Sequence, residues 1–173
     1  MSTPSAKLSV LACKDIVCVK IAGRANFTFS PNFKTLLSEL SQKGYGRIVI
    51  DLSECVLMDS TFLGVLAQFG LQKNAVGAPD ENVIKLLNPN PRITELLENL
   101  GALHLFKIIT GDLPLPSEAQ VSTIESTGAP REQITRTCLE AHKTLMAVNP
   151  ENAARFKDVT QFLAEDLKNL EKH

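Results

Sequence analysis

Three features of this sequence point to one α/β domain built on a mixed β-sheet, followed by a helical appendage. Two β-rich runs, Leu8–Ala12 and Ile16–Ala22, are joined by Cys13, Lys14 and Asp15, a connection short enough for an antiparallel hairpin. Three short apolar runs, Ile48–Leu52, Val83–Leu87 and Leu105–Ile109, have the length of buried strands. Between them lie segments whose apolar residues recur at helical spacing. At 173 residues the chain has room for one core and an extension, but little for two independent domains.

The elements follow in order. Ser30 and Pro31 mark a helix start, and Phe33, Leu36, Leu37 and Leu40 follow at i, i+3, i+4 and i+7, with a stop near Gly44. The strand Ile48–Leu52 leads through a loop to a second helix over 61–74, closed by Gly77 and Pro79. Asn90 and Pro91 repeat the start signal ahead of Ile93, Leu96, Leu97 and Leu100, and Gly101 stops the third helix. The order ββαβαβαβ calls for right-handed crossovers between parallel strands, and this core is expected over residues 1–110. Residues 111–130 carry three prolines with several Ser and Thr, the composition of a linker.

Two further helices are expected over 131–173. Ile134, Cys138, Ala141, Leu145 and Val148 make one stripe, and Phe156, Val159, Leu163, Leu167 and Leu170 make another, with Asn149-Pro150 between them. Such a hairpin must bury its stripes against each other, against the sheet domain or in a homodimer.

Charge and composition exclude several classes. A formal net charge of −1 with no dense Lys/Arg block argues against nucleic acid and against an anionic membrane surface. No run approaches a membrane span, and the faint lipoprotein-like Val10-Leu11-Ala12-Cys13 reads as strand. Cys13, Cys18, Cys55 and Cys138 form no CxxC pair, and His104, His142 and His173 complete no zinc spacing. Free thiols, a cytoplasmic location, and no metal or cofactor are the expectation. Gly44-Tyr45-Gly46 is only a turn, and there is no phosphate-binding glycine loop. Cys55 is expected to be a buried, inert thiol and His142 a solvent or packing residue. With no base placed beside a nucleophile, the chain is not expected to be an enzyme.

The segment Asp59-Ser60-Thr61-Phe62-Leu63-Gly64 lies between a buried strand and a helix. Ser, Thr and Asp at that place cap a helix whatever the protein does. A helix start also tolerates added negative charge, because free N–H groups and the dipole favour it. Along this helix Thr61, Val65, Gln68 and Gln72 form the most polar strip, expected to face outward, while Phe62 and Phe69 are expected in the core.

Ile48-Val49-Ile50-Asp51-Leu52, then Met58-Asp59-Ser60-Thr61 with Leu63-Gly64-Val65, resembles the STAS family of bacterial anti-sigma factor antagonists. Gly23 after the second strand, Asn88-Pro89 before the third helix and Leu105–Ile109 after it extend the resemblance over 7–110. The resemblance implies a protein-binding module whose Ser60, or failing that Thr61, is phosphorylated by a partner kinase that doubles as an anti-sigma factor, with a phosphatase to reset it. It implies a partner surface on Asn26, Asp59, Ser60, Thr61, Phe62, Val65 and Gln68. Two residues depart from the family's usual pattern: Asn26 stands where Asp is common, and Phe62 where a small residue is. The alternative is a STAS module acting as a constitutive scaffold or accessory subunit of a transporter or signalling complex, with Ser60 only a cap.

Overall fold

The computed structural model describes residues 6–13, 15–75, 84–112, 120–124 and 129–172. Strands β1 (Lys7–Cys13) and β2 (Ile16–Ala25) form the expected antiparallel hairpin, and β3 (Arg47–Asp51) runs parallel to β2. The strands β5 (Lys85–Leu87) and β6 (Lys107–Ile109) add in parallel beyond β3. Among the described residues the sheet order is β6-β5-β3-β2-β1-β7, where β7 is Gln120–Ile124.

Helices α1 (Ser30–Gln42), α2 (Ser60–Ala75) and α3 (Pro91–Asn99) connect the strands. Val17, Val19 and Ile21 of β2, with Ile48 and Ile50 of β3, face these helices in one main core. The opposite face of the sheet holds a small cluster of Cys18, Val49 and Leu87. The α/β architecture, the mixed sheet and the C-terminal helical pair are therefore as read from the sequence.

Several details differ, each for a local reason. Helix α1 takes Ser30 into its first turn, and Phe29 stands at the cap position with no side-chain bond. The start of α3 is as expected, since Asn90 accepts from the Ile93 N–H at 3.0 Å and Pro91 opens the helix. Leu105 belongs to a 3-10 turn (Leu103–Leu105), and the last strand of the core begins only at Lys107. Gly77 and Pro79, expected to close α2, and Val83, expected in a strand, lie outside the described residues.

Two strands lie where the sequence suggested loop or linker. Strand β4 (Cys55–Met58) pairs with the far end of β2, whose register shifts between Gly23 and Arg24. Gly23 sits at φ 85°, so β2 kinks at the glycine and continues rather than ending there. Strand β7 (Gln120–Ile124), within the segment read as linker, pairs antiparallel with β1 and shields its outer edge.

Helices α4 (Arg131–Val148) and α5 (Asn152–Glu171) form the hairpin. Ala141, Leu145 and Phe156 belong to the main core. The hairpin loop seats on the end of α3, where Asn152 Nδ2 donates to the carbonyls of Leu100 (2.9 Å) and Leu145 (2.8 Å). Gly101, at φ 68°, leaves room for Asn149: a Cβ there would lie 2.6 Å from the Asn149 amide nitrogen. Lys34 of α1 pairs with Glu140 of α4.

Candidate functional site at the start of helix α2

Strand β4 ends at Met58, and Asp59 turns the chain into α2. One carboxylate oxygen of Asp59 accepts from the Phe62 N–H (2.8 Å), closing the first turn as an N-cap does. The other accepts from the Phe27 N–H (2.6 Å). Phe27 opens a 3-10 turn (Phe27–Phe29) capped by Asn26, whose Oδ1 accepts from the Thr28 N–H at 3.0 Å. Asp59 thus ties two loops together at the C-terminal edge of β2 and β4. Burial pushes its carboxyl upward from the usual carboxylate range, against the opposing pull of the N–H groups of Phe62 and Phe27.

Between the ordinary carboxylate value of 3.8 and the raised folded-state value, the folded chain holds more protons than the unfolded one. This group's contribution to stability therefore falls as pH rises across that window. Replacing Asp59 by alanine should cost about 2 kcal/mol at neutral pH, roughly one for the cap and one for the second hydrogen bond. Urea midpoints measured from pH 3.5 to 7 should show that this cost persists at pH 7 and that the variant loses part of the wild type's pH slope.

Ser60 follows directly and is half-buried. Its hydroxyl meets His142 Nε2 of α4 at 2.9 Å. The other ring nitrogen of His142, Nδ1, lies 2.7 Å from the Cys138 carbonyl oxygen, and the ring stands edge-on to Phe156 of α5. His142 is 6% exposed, so it is a packing residue in part, and it also reaches the serine at the start of α2.

The first half of the strip expected to face solvent faces α4 instead. Thr61 and Val65 are buried, and the Thr61 hydroxyl lies 3.6 Å from Cys138 Sγ; Gln68 is only half-buried, and Gln72 alone is exposed. The cause is Gly64: a Cβ at that position would stand 2.6 Å from the Ala141 carbonyl oxygen and 2.7 Å from its Cβ. Only a glycine lets α4 approach α2 so closely. Gly64→Ala should therefore destabilise the chain by about 2 kcal/mol through overpacking, with the α4 amides exchanging faster than those of the sheet. Full retention of stability would show that α4 does not sit against α2.

Phe62 is fully buried and stacks on Phe33, with ring centroids 4.2 Å apart and planes 13° apart, while Phe69 is also in the core. In place of a small residue, Phe62 fills the space between α1 and α2. Cys55 is buried and its thiol is pushed up to about 11 by that burial, which leaves it protonated at neutral pH. Cys18 is pushed up to about 12 by burial and by Asp51.

A family model for the STAS domain matches residues 8–111. The chain belongs to the STAS domain family. Comparison with curated protein sequences gives no match. Among solved structures, the fold resembles a candidate anti-sigma factor antagonist of Thermotoga maritima, at 22% identity and TM-score 0.50, covering 60% of this chain and 86% of that one. It also resembles the anti-sigma factor antagonist SpoIIAA in its unphosphorylated form, at 17% identity and TM-score 0.51, covering 60% and 88%. An anti-sigma factor antagonist from Mycobacterium paratuberculosis matches at 17% identity and TM-score 0.50, covering 62% and 89%. At these identities the likeness is one of fold. The family match ends at residue 111, so β7 and the α4–α5 hairpin of this STAS protein lie beyond it.

Within this STAS fold the residues singled out from sequence divide into two groups. Asn26, Asp59 and Ser60 gather at the rim where β2, β4 and α2 meet, each at least partly accessible. Thr61, Phe62 and Val65 are buried, Thr61 against α4 and Phe62 against α1, with Gln68 half-buried beyond them. Sequence reasoning missed Phe27, an aromatic 48% exposed beside Asp59, and it missed His142 as a neighbour of Ser60. The alignment of His142 with Cys138 one turn earlier was the available signal. No helix among the described residues is long and apolar enough to cross a membrane.

Proposed function

We propose that this protein is an anti-sigma factor antagonist whose binding to its partner is switched by phosphorylation of Ser60. The observation that carries the reading is the placement of Ser60: half-buried, one residue past the Asp59 cap, in the first turn of α2 on a STAS sheet. A hydroxyl there is within reach of a partner's active site, and the free N–H groups of the helix start offset added negative charge. Thr61, the second candidate acceptor, is 5% exposed and bonded toward Cys138, so Ser60 is favoured. Asn26 supplies a neutral carbonyl to the 3-10 turn where a carboxylate would add charge beside the acceptor.

The partner is a serine kinase that doubles as anti-sigma factor, with a phosphatase resetting Ser60. Its contact surface is the rim of Asn26, Phe27, Asp59 and Ser60, with half-buried Gln68 about two turns further along α2. Thr61, Phe62 and Val65 shape that surface from beneath. The chain carries no catalysis of its own: the phosphoryl group comes from the partner's ATP site.

Affinity capture tests this. Chain carrying Ser60→Ala, used as bait in lysate of its own cells, should retain a protein that binds ATP, and that protein should phosphorylate the unaltered chain. The chain alone, incubated with ATP, should stay unmodified. Capture of no ATP-binding protein, or self-modification by kinase-free chain, would contradict the reading.

A further inference from the structure

The two ring nitrogens of His142 have different tasks. Nδ1 faces the Cys138 carbonyl oxygen at 2.7 Å, and a carbonyl can only accept, so Nδ1 carries a hydrogen. In the neutral ring Nε2 is then an acceptor, and the Ser60 hydroxyl 2.9 Å away donates to it. Asp59 at the head of α2 lies close enough to interact with the ring electrostatically, Cys138 stands one turn back on α4, and α5 presents the uncharged ring of Phe156. The ring is thus fixed on its α4 and α5 sides, with one nitrogen left to answer to Ser60.

Phosphorylation changes what that nitrogen meets. Transfer from ATP forms the Oγ–P bond, breaks the bond to ADP and releases the hydroxyl proton. The donor at Ser60 is gone, and the phosphate presents acceptors. A neutral Nε2 would face them acceptor to acceptor. If the ring takes one proton from solvent, both nitrogens become donors, Nδ1 still to Cys138 and Nε2 now to the phosphate, and the ring need not move.

Resting on the reading that Ser60 is the phosphoryl acceptor, we propose that His142 is the residue by which the α4–α5 hairpin reads the state of Ser60. The Ser60–His142 hydrogen bond reverses direction on phosphorylation and becomes charge-assisted. The modified protein therefore holds α4 more firmly over Thr61, Gly64 and Val65. Release of the partner and tightening of the hairpin are then two results of one modification.

The test installs phosphoserine at position 60 by genetic encoding, so it is independent of any cellular kinase and separable from the question of whether cells modify Ser60. Nitrogen-15 NMR of the imidazole rings at pH 7.5, with His142 assigned by its absence in His142→Ala, reports the protonation of each nitrogen directly. The unmodified chain should show a neutral ring protonated at Nδ1. The phosphorylated chain should show an imidazolium, and its α4 amides should exchange at least threefold more slowly, a slowing that His142→Ala removes. A neutral His142 ring in the phosphorylated chain would overturn the proposal. So would faster α4 exchange, meaning that the phosphate expels the hairpin, or slowing that survives in His142→Ala.

Discussion

Removal of residues 131–173 should lower the stability of the remaining chain by about 4 kcal/mol or more and leave it prone to association. Leu145 is fully buried and Phe156 is 8% exposed, and each side chain contributes about 1.5–3 kcal/mol by leaving water. Their loss also uncovers Thr61, Gly64 and Val65 on α2, a continuous patch on a helix that is apolar on most sides. For a domain of this size a loss of 4 kcal/mol lowers the melting temperature by roughly 15 °C. Calorimetry and light scattering of the truncated chain check this. A truncated chain as stable, and as monodisperse, as the full one would mean that α4 and α5 do not contribute to the core.

Ser60→Asp should weaken binding to the captured partner about a hundredfold relative to Ser60→Ala, while both variants remain folded. Folding and binding respond differently to charge at this position. In the free chain the start of α2 offsets much of the repulsion from Asp59, and a half-buried side chain keeps access to water, so the change in stability stays near 1 kcal/mol. In a complex the same charge must be desolvated against a surface shaped for a hydroxyl, and a loss of about 2.8 kcal/mol is a hundredfold in affinity. Circular dichroism reports the first and titration calorimetry the second. Equal affinities for the two variants would favour a constitutive scaffold, in which Ser60 is only a residue of the first helical turn.

What the sequence made legible were features whose cause is local. The start of α3 is written in Asn90-Pro91 and in the spacing of Ile93, Leu96, Leu97 and Leu100, and the structure places the cap bond there. Strand β4 was not legible, because Cys55–Met58 is only four residues long and gains its order from β2 across the bulge at Gly23. Strand β7 sits in a Ser/Thr/Pro-rich segment and depends on the edge of β1, a partner more than one hundred residues away in the chain.

The sequence pointed to the start of α2 as the site, but which of its residues lie at the surface was not legible there. Thr61 and Gln68 suggested an outward strip, yet Gly64 admits Ala141, and the strip is covered at Thr61 and Val65. The signal lay in α2 itself, since a helix apolar on most sides must be buried on most sides. Phe33 and Phe62, separated by nearly thirty residues, meet only once α1 and α2 are packed. The same holds for Ser60 and His142, whose approach depends on the docking of α4.

Phosphorylation of Ser60 is tested by a phosphosite map, by mass spectrometry, of the protein isolated from its own cells across growth conditions. Phosphate should be found on Ser60, with an occupancy that changes between conditions and falls to zero when the captured kinase is deleted. Peptides covering Ser60 and Thr61 that carry no phosphate in any condition, from cells in which the partner is present and bound, would contradict it.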